Sequence, residues 1–159
     1  MSAPYLGNCL CGIVKFQLNT EPITCYACHC TDCQRRSGGP LLLSMWVARD
    51  SIEVLEGNPE VVSSVALDGR ERKSKVCRAC EIRLWAEPTN HPKLAILRPS
   101  TLEQSNEFPP IAHQFVRSAM PWFVFPRDVA CYQTIPPEPS ELARLWRESK
   151  RRSSVKGET

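Results

Sequence analysis

GNCLCGIVKFQL, residues 7–18, sets a C-x-C turn directly before an alternating run. Val14, Phe16 and Leu18 fall on one face and Lys15 and Gln17 on the other, the period of a half-buried strand. The turn offers two sulfurs from one tight bend. A second such bend stands far down the chain at KVCRACE, residues 75–81. Neither pair completes the four-ligand tetrahedron of a structural zinc site. Joining the pairs across the fold does, with Cys9, Cys11, Cys77 and Cys80 around one ion that ties the first strand to the middle of the chain. Binding-linked folding of this kind suits a small β domain. Cysteines merely buried in a core are the plainer reading, and a redox role for CRAC is another. The paired spacings beside glycine and basic residues argue against the first. No helical pattern follows CRAC to lower a thiol pKa, which argues against the second.

Around these bends the chain reads as short strands. LLLSMWV (41–47) looks more fully buried than 13–18 and is opened by the turn SGGP. Further strands are expected at 51–55, 61–67, 70–76, 82–86, 94–97, 111–117 and 122–125. RERKSKV (70–76) is polar enough for an edge or surface strand. Fourteen prolines leave little room for long helices. Only SELARLWRESK (140–150) carries a helical pattern, with Ser140 placed to cap it and Leu142, Leu145 and Trp146 on one face. IPPEP before it is a stiff linker. The fold class expected is mainly β with one short C-terminal helix.

A chain of 159 residues suits a single domain with a real core. MSAPYLGNCL lacks the basic-then-apolar order of a signal peptide. PLLLSMWVA is too short to span a bilayer. A soluble, cytoplasmic protein is expected, where thiols stay reduced and nine cysteines point to metal or catalysis rather than disulfides. The net charge of +3 is local. Residues 1–139 carry 14 basic and 14 acidic side chains, and residues 140–159 carry 6 and 3. A nucleic-acid binder usually shows a basic stripe on its folded body. KRRSSVK at the end reads instead as a solvated tail. Neither nucleic acid nor membrane is expected as a partner.

CYACHCTDC, residues 25–33, places four cysteines in nine positions. Cys28, Cys30 and Cys33 form C-x-C-x-x-C, and three sulfurs leave a zinc ion one open position, the mark of a functional rather than structural site. A three-thiolate site is soft and electron-rich, a poor activator of water but a suitable acceptor for an incoming thiolate. Zinc would deprotonate that thiol at neutral pH and hold it as a nucleophile. His29, between two ligands in an extended segment, points away from them and reads as a surface or hydrogen-bonding residue. Cys131 has no partner in the pattern and reads as a buried thiol.

Taken together, GNCLCGIVKF, CHCTDCQRRSG, VCRACEIRLW, LRPSTLEQ and AHQFVRSAMPW resemble, in order and spacing, the glutathione-dependent formaldehyde-activating enzymes, a family that includes the centromere protein V relatives. The resemblance implies a β-tent fold, twisted antiparallel sheets around zinc-binding knuckles. It implies two zinc ions, a structural one on Cys9, Cys11, Cys77 and Cys80 and a functional one on Cys28, Cys30 and Cys33. It also implies a carbon–sulfur lyase activity, the reversible addition of glutathione, or another small thiol, to formaldehyde or a similar small aldehyde. Residues 1–135 would form that domain, and residues 136–159 a Pro-rich linker, short helix and basic disordered tail. No catalytic side chain is assigned beyond the zinc ligands.

Glutathione carries two carboxylates, and arginine forks suit them, so Arg35, Arg36 and Arg117 are candidate substrate contacts. Arg35 and Arg36 are favoured because they follow the three-sulfur motif. His113 fits either a core or a pocket role. Trp122 reads as core, with a place beside the thiol site as the alternative. A glutathione- or zinc-binding protein without turnover, or a protein-interaction module, is the competing reading. Methionine sulfoxide reduction would need a nucleophilic cysteine outside the clusters, and only Cys131 or Cys25 offers one.

Three positions depart from the family pattern. Glu81 stands where glycine usually follows the second knuckle, at a cost of about 1 kcal/mol if the turn needs positive φ. Ser100 replaces a turn glycine. Cys25 replaces an apolar residue, and it is expected not to reach the metal, because four ligands within nine residues would need a tightly coiled loop.

Overall fold

The computed structural model describes residues 2–66, 69–138 and 140–156. Among them are eleven strands, and the fold is mainly β with a C-terminal helix. The chain forms two compact units, one from residues 1–22 and 44–108, the other from 23–43 and 109 onward. No helix among the described residues is long and apolar enough to cross a membrane.

In the first unit β1 (Tyr5–Asn8), β2 (Lys15–Leu18) and β5 (Ile52–Glu56) form an antiparallel sheet in the order β1-β2-β5. The alternation read in 13–18 appears as burial: Val14, Phe16 and Leu18 are enclosed while Lys15 is exposed. Phe16 packs against Trp85, with ring centroids 5.7 Å apart. A Cβ on Gly7 would collide with the Phe16 ring, so glycine is what lets β1 lie this close to its neighbour. Tyr5 meets Phe108 edge-on at 5.1 Å, an arrangement favoured by the ring quadrupoles.

The rest of this unit is an antiparallel run built from β4 (Leu42–Ala48, from Ser44 onward), β9 (Leu94–Leu97), β8 (Arg83–Pro88), β7 (Glu71–Val76) and β6 (Glu60–Val65), neighbours in that order. Met45, Val47, Leu84, Ala95 and Leu97 are buried beneath it. The polar strand 70–76, expected at an edge or on the surface, is a surface strand paired on both sides, and the edge is β6. Alternation in β7 reports solvent on one face, which edge and interior strands share, so polarity alone could not decide its place. β6 stops at Val65, and Leu67 of the expected strand lies outside the described residues.

The second unit holds β3 (Thr24–Cys28), β10 (Ala112–Gln114) and β11 (Ala130–Cys131), paired in parallel in the order β11-β10-β3. All of β3 is buried. The C-terminal helix α2 (Glu141–Lys156) packs on β3 and buries Leu142 and Trp146. The Ser140 carbonyl accepts from the Arg144 amide, and Tyr132 donates to Glu141 Oε1 at 2.9 Å. The helix continues past its expected end, so KRRSSVK is helical, and 157–159 lie outside the described residues.

Several expectations need correction here. A second helix, α1 (Thr31–Ser37), follows β3 directly. It is too short for a periodic pattern, and its cap is a cysteine rather than the usual Ser, Thr, Asp or Asn. It ends where Gly38 turns left-handed at φ 69°. The strand expected over 111–117 shrinks to β10 because Phe115 takes φ 56° and a 3₁₀ turn covers Val116–Ser118. No strand forms at 122–125: Phe123 N–H bonds back to the Met120 carbonyl at 2.9 Å, and prolines 121 and 126 bracket the segment. Trp122 is therefore not core but 66% exposed. Cys131 is exposed rather than buried, because β11 is only two residues long. Ser100 sits in a 3₁₀ turn without positive φ, so the missing glycine carries no strain there.

Candidate metal centres

The first cluster is assembled by two bends of the first unit. Gly12 N–H closes one onto the Cys9 carbonyl at 3.1 Å, and Cys77 N–H opens the other by bonding to the Ile82 carbonyl at 3.0 Å. The four sulfurs of Cys9, Cys11, Cys77 and Cys80 lie within 4.8 Å of one another. Cys9 Sγ is 3.4 Å from Cys11 Sγ, which is 3.7 Å from Cys77 Sγ. Metal–sulfur bonds of about 2.3 Å at tetrahedral angles imply sulfur separations of about 3.8 Å. The donor set therefore fits an ion of that size and geometry.

Backbone amides support the charge such a site needs. Val14 N–H donates to Cys9 Sγ at 3.3 Å. The Ile82 amide draws the Cys80 thiol down to about 6, helped by the Cys11 amide and the neighbouring thiols and opposed by partial burial. Glu81 takes φ 58°, so the knuckle does require the left-handed conformation for which glycine is suited.

The second cluster lies in the second unit. Cys28 ends β3, Cys30 caps α1, and Cys33 sits buried in the first turn of that helix. Their three sulfurs also lie within 4.8 Å of one another. Cys33 N–H donates to Cys30 Sγ at 3.4 Å. Hydrogen bonds from the Cys28 and Cys33 thiols, then the Cys33 and Asp32 amides, hold Cys30 down at about 2. The same thiol contacts push Cys28 up. Of these two thiols, Cys30 is therefore the more readily deprotonated, with the Cys33 and Asp32 amides beside it.

Cys25 belongs to neither cluster. Alternation along β3 puts Cys25 and Ala27 on one face and Tyr26 and Cys28 on the other. Cys25 is completely buried, which pushes its thiol up to about 12. Among the described residues no fourth cysteine sulfur joins these three.

His29 is not a surface residue. It is 0% exposed, and its Nε2 lies 2.8 Å from Nδ1 of His113, itself 2% exposed. Burial lowers the pKa of both rings; the Pro40 carbonyl partly offsets this for His29, and the neighbouring His29 adds to it for His113. Phe123 and Phe125 wall the pair, with ring centroids 4.7–5.8 Å from the imidazoles. The His29 carbonyl accepts from Gln34 Nε2 at 2.8 Å and from Ser118 Oγ at 3.1 Å.

Of the other candidates, Arg35 and Arg36 lie in the last turn of α1. Arg36 stands three residues after Cys33 and shares its face, and Arg35 is more exposed. Arg117 is exposed on the 3₁₀ turn after β10. The histidine pair, Gln34 and Ser118 were not legible as a set, because their partners are 84 or 89 residues away except for the Gln34–His29 bond.

Residues 4–118 match the glutathione-dependent formaldehyde-activating enzyme family. The chain belongs to that family. No curated protein matches it. Among solved structures it is similar to a Rhodobacter sphaeroides protein at 19% identity and a TM-score of 0.50, over 80% of this chain and 98% of that one. At that identity the likeness speaks to the fold alone.

Proposed function

We propose that this chain, as a formaldehyde-activating family member, binds glutathione thiolate at a zinc ion held by Cys28, Cys30 and Cys33 and adds it reversibly to formaldehyde or a similar small aldehyde. A second zinc on Cys9, Cys11, Cys77 and Cys80 serves the fold. The observation that carries the reading is the three-sulfur cluster with no fourth protein sulfur, since Cys25 is buried on the opposite face of β3. When bound there, zinc supplies a soft acceptor that favours the deprotonated form of an incoming thiol.

The chain's own residues do the rest. Cys28, Cys30 and Cys33 bring three sulfurs within 4.8 Å of one another, and the Cys33 amide fixes Cys30. Arg35, Arg36 and Arg117 supply positive charge for the carboxylates of glutathione, and exposed Trp122 offers an apolar wall. The glutathione sulfur forms a bond to the aldehyde carbon as the carbonyl π pair moves to oxygen. That oxygen takes up a proton equivalent to the one the thiol released, so the addition needs no external oxidant or reductant. Reduced thiols are required throughout, which a cytoplasmic setting supplies.

The test is glutathione titration of zinc-loaded protein by calorimetry, together with exchange NMR between formaldehyde and its glutathione adduct. Binding that Cys30→Ser abolishes, with exchange faster than in protein-free solution, is expected. Binding without faster exchange would make the protein a carrier. No binding with both ions present would remove the thiol-acceptor reading and favour an interaction module.

A further inference from the structure

The histidine pair does more than fill space. Two neutral imidazoles carry two N–H donors and two lone-pair nitrogens, and the ring-to-ring bond uses one of each. His113 Nε2 is buried without a hydrogen-bond partner, while the His29 ring also meets the Pro40 carbonyl. A buried polar group left unpaired disfavours the folded state, whereas an apolar side chain of similar shape would avoid the loss. Packing alone therefore argues against histidine at position 113.

The backbone shows what the pair is attached to. His29 lies between Cys28 and Cys30, so any movement of residue 29 moves two of the three sulfurs. Its amide donates to the Gln114 carbonyl at 2.9 Å, and its carbonyl takes bonds from Gln34 and Ser118. Gln34 Nε2 also reaches the Ser118 carbonyl at 2.7 Å, joining α1 to the turn after β10. His113 is held in β10, whose register sets His113 beside Ala27 and Gln114 beside Cys28. The ring contact fixes the side chain of residue 29 while these bonds fix its main chain.

We propose that His29 and His113 form a positioning device that sets the spacing of the Cys28 and Cys30 sulfurs, with His113 acting through His29. This rests on the proposed role of the three-sulfur site for its purpose, but its geometry can be read with or without an ion. Asn at 113 places an amide near the Nδ1 position and preserves a hydrogen-bonding partner for His29; Leu does not.

The experiment loads wild type, His113→Asn and His113→Leu with cobalt(II) and isolates the three-sulfur site by difference spectra against Cys30→Ser. Expected for His113→Leu are shifted sulfur-to-cobalt bands and affinity weakened about 10- to 100-fold, the range for groups that orient ligands. Cobalt at the four-sulfur site is expected to be unchanged, and His113→Asn to restore the wild-type spectrum. Wild-type spectrum and affinity in His113→Leu, or equal damage in both variants, would overturn the proposal. His113→Phe, closer in volume, replaces Leu if that variant does not fold. In metal-free protein, dibromobimane should bridge Cys28 and Cys30 faster in wild type and His113→Asn than in His113→Leu, and equal rates would overturn the proposal. Should wild type take up no cobalt at this cluster, the proposed function fails, and the bimane contrast still decides the pair.

Discussion

Removing Cys77 and Cys80 together by Cys77→Ser/Cys80→Ser should destabilise the fold far more than Cys30→Ser/Cys33→Ser. The contact from Cys11 to Cys77 spans 66 residues. A cross-link closing a loop of that length restricts the unfolded chain by about 4 kcal/mol on the chain-entropy relation. Cys30 and Cys33 are three residues apart. The logarithmic length dependence makes their closure worth about 3 kcal/mol less. Against a typical domain stability of about 5–15 kcal/mol, closing the long loop matters and closing the short one does not. At about 2–4 °C per kcal/mol for a chain of this size, the first double variant should melt about 10 °C below wild type and the second within a few degrees. Calorimetric melts with metal content measured on the same samples would decide it. If the first variant does not accumulate, stepwise chelation of wild type serves instead: the three-sulfur ion should leave first with little change in Tm, the other with the large drop. Equal drops for the two double variants, or metal-free protein that melts like the loaded form, would refute the division into structural and functional sites.

Glu81→Gly should stabilise the protein by about 0.5 kcal/mol, since relief of about 1 kcal/mol at positive φ outweighs the greater freedom of glycine in the unfolded chain; a fall in Tm would show that Glu81 contributes something its backbone conformation does not. Cys25→Ser should leave glutathione affinity unchanged, because Cys25 faces away from the cluster; binding gained only in the variant would mean that Cys25 closes the open vertex. Tyr132 should ionise near pH 12 rather than 10, because burial and then its bond to Glu141 hold the proton. Its folded pKa is raised, so the stability it contributes is complete below about pH 10 and is lost as pH rises toward 12. The absorbance titration of wild type minus Tyr132→Phe would show the step, and a step at pH 10 would count against the bond to Glu141.

Local chemistry determined much of this protein by itself. Alternation in IVKFQL survives as burial because a strand has a period of two whatever it packs against. The C-x-C and C-x-x-C bends are likewise local, since sulfurs so close in sequence can share an ion without help from distant chain. The left-handed knuckle at Glu81 was foreseeable only through the family resemblance, which expects glycine there. Pairing one bend with another rested on ligand number, because no single bend can complete a tetrahedron.

Other features were decided only when distant segments met. β3 escapes notice in TCYAC because cysteine and tyrosine conceal a strand that is buried throughout. α1 exists because a cysteine caps it, a role that sequence preference gives to other residues. Trp122 is left outside because its segment turns back on Met120 rather than pairing as a strand. The burial of His29 was beyond any local pattern. Its partner is 84 residues away, and a parallel register between β3 and β10 brings the two rings together. Parallel pairing is set by the path of the whole chain, and no nearby residue encodes it.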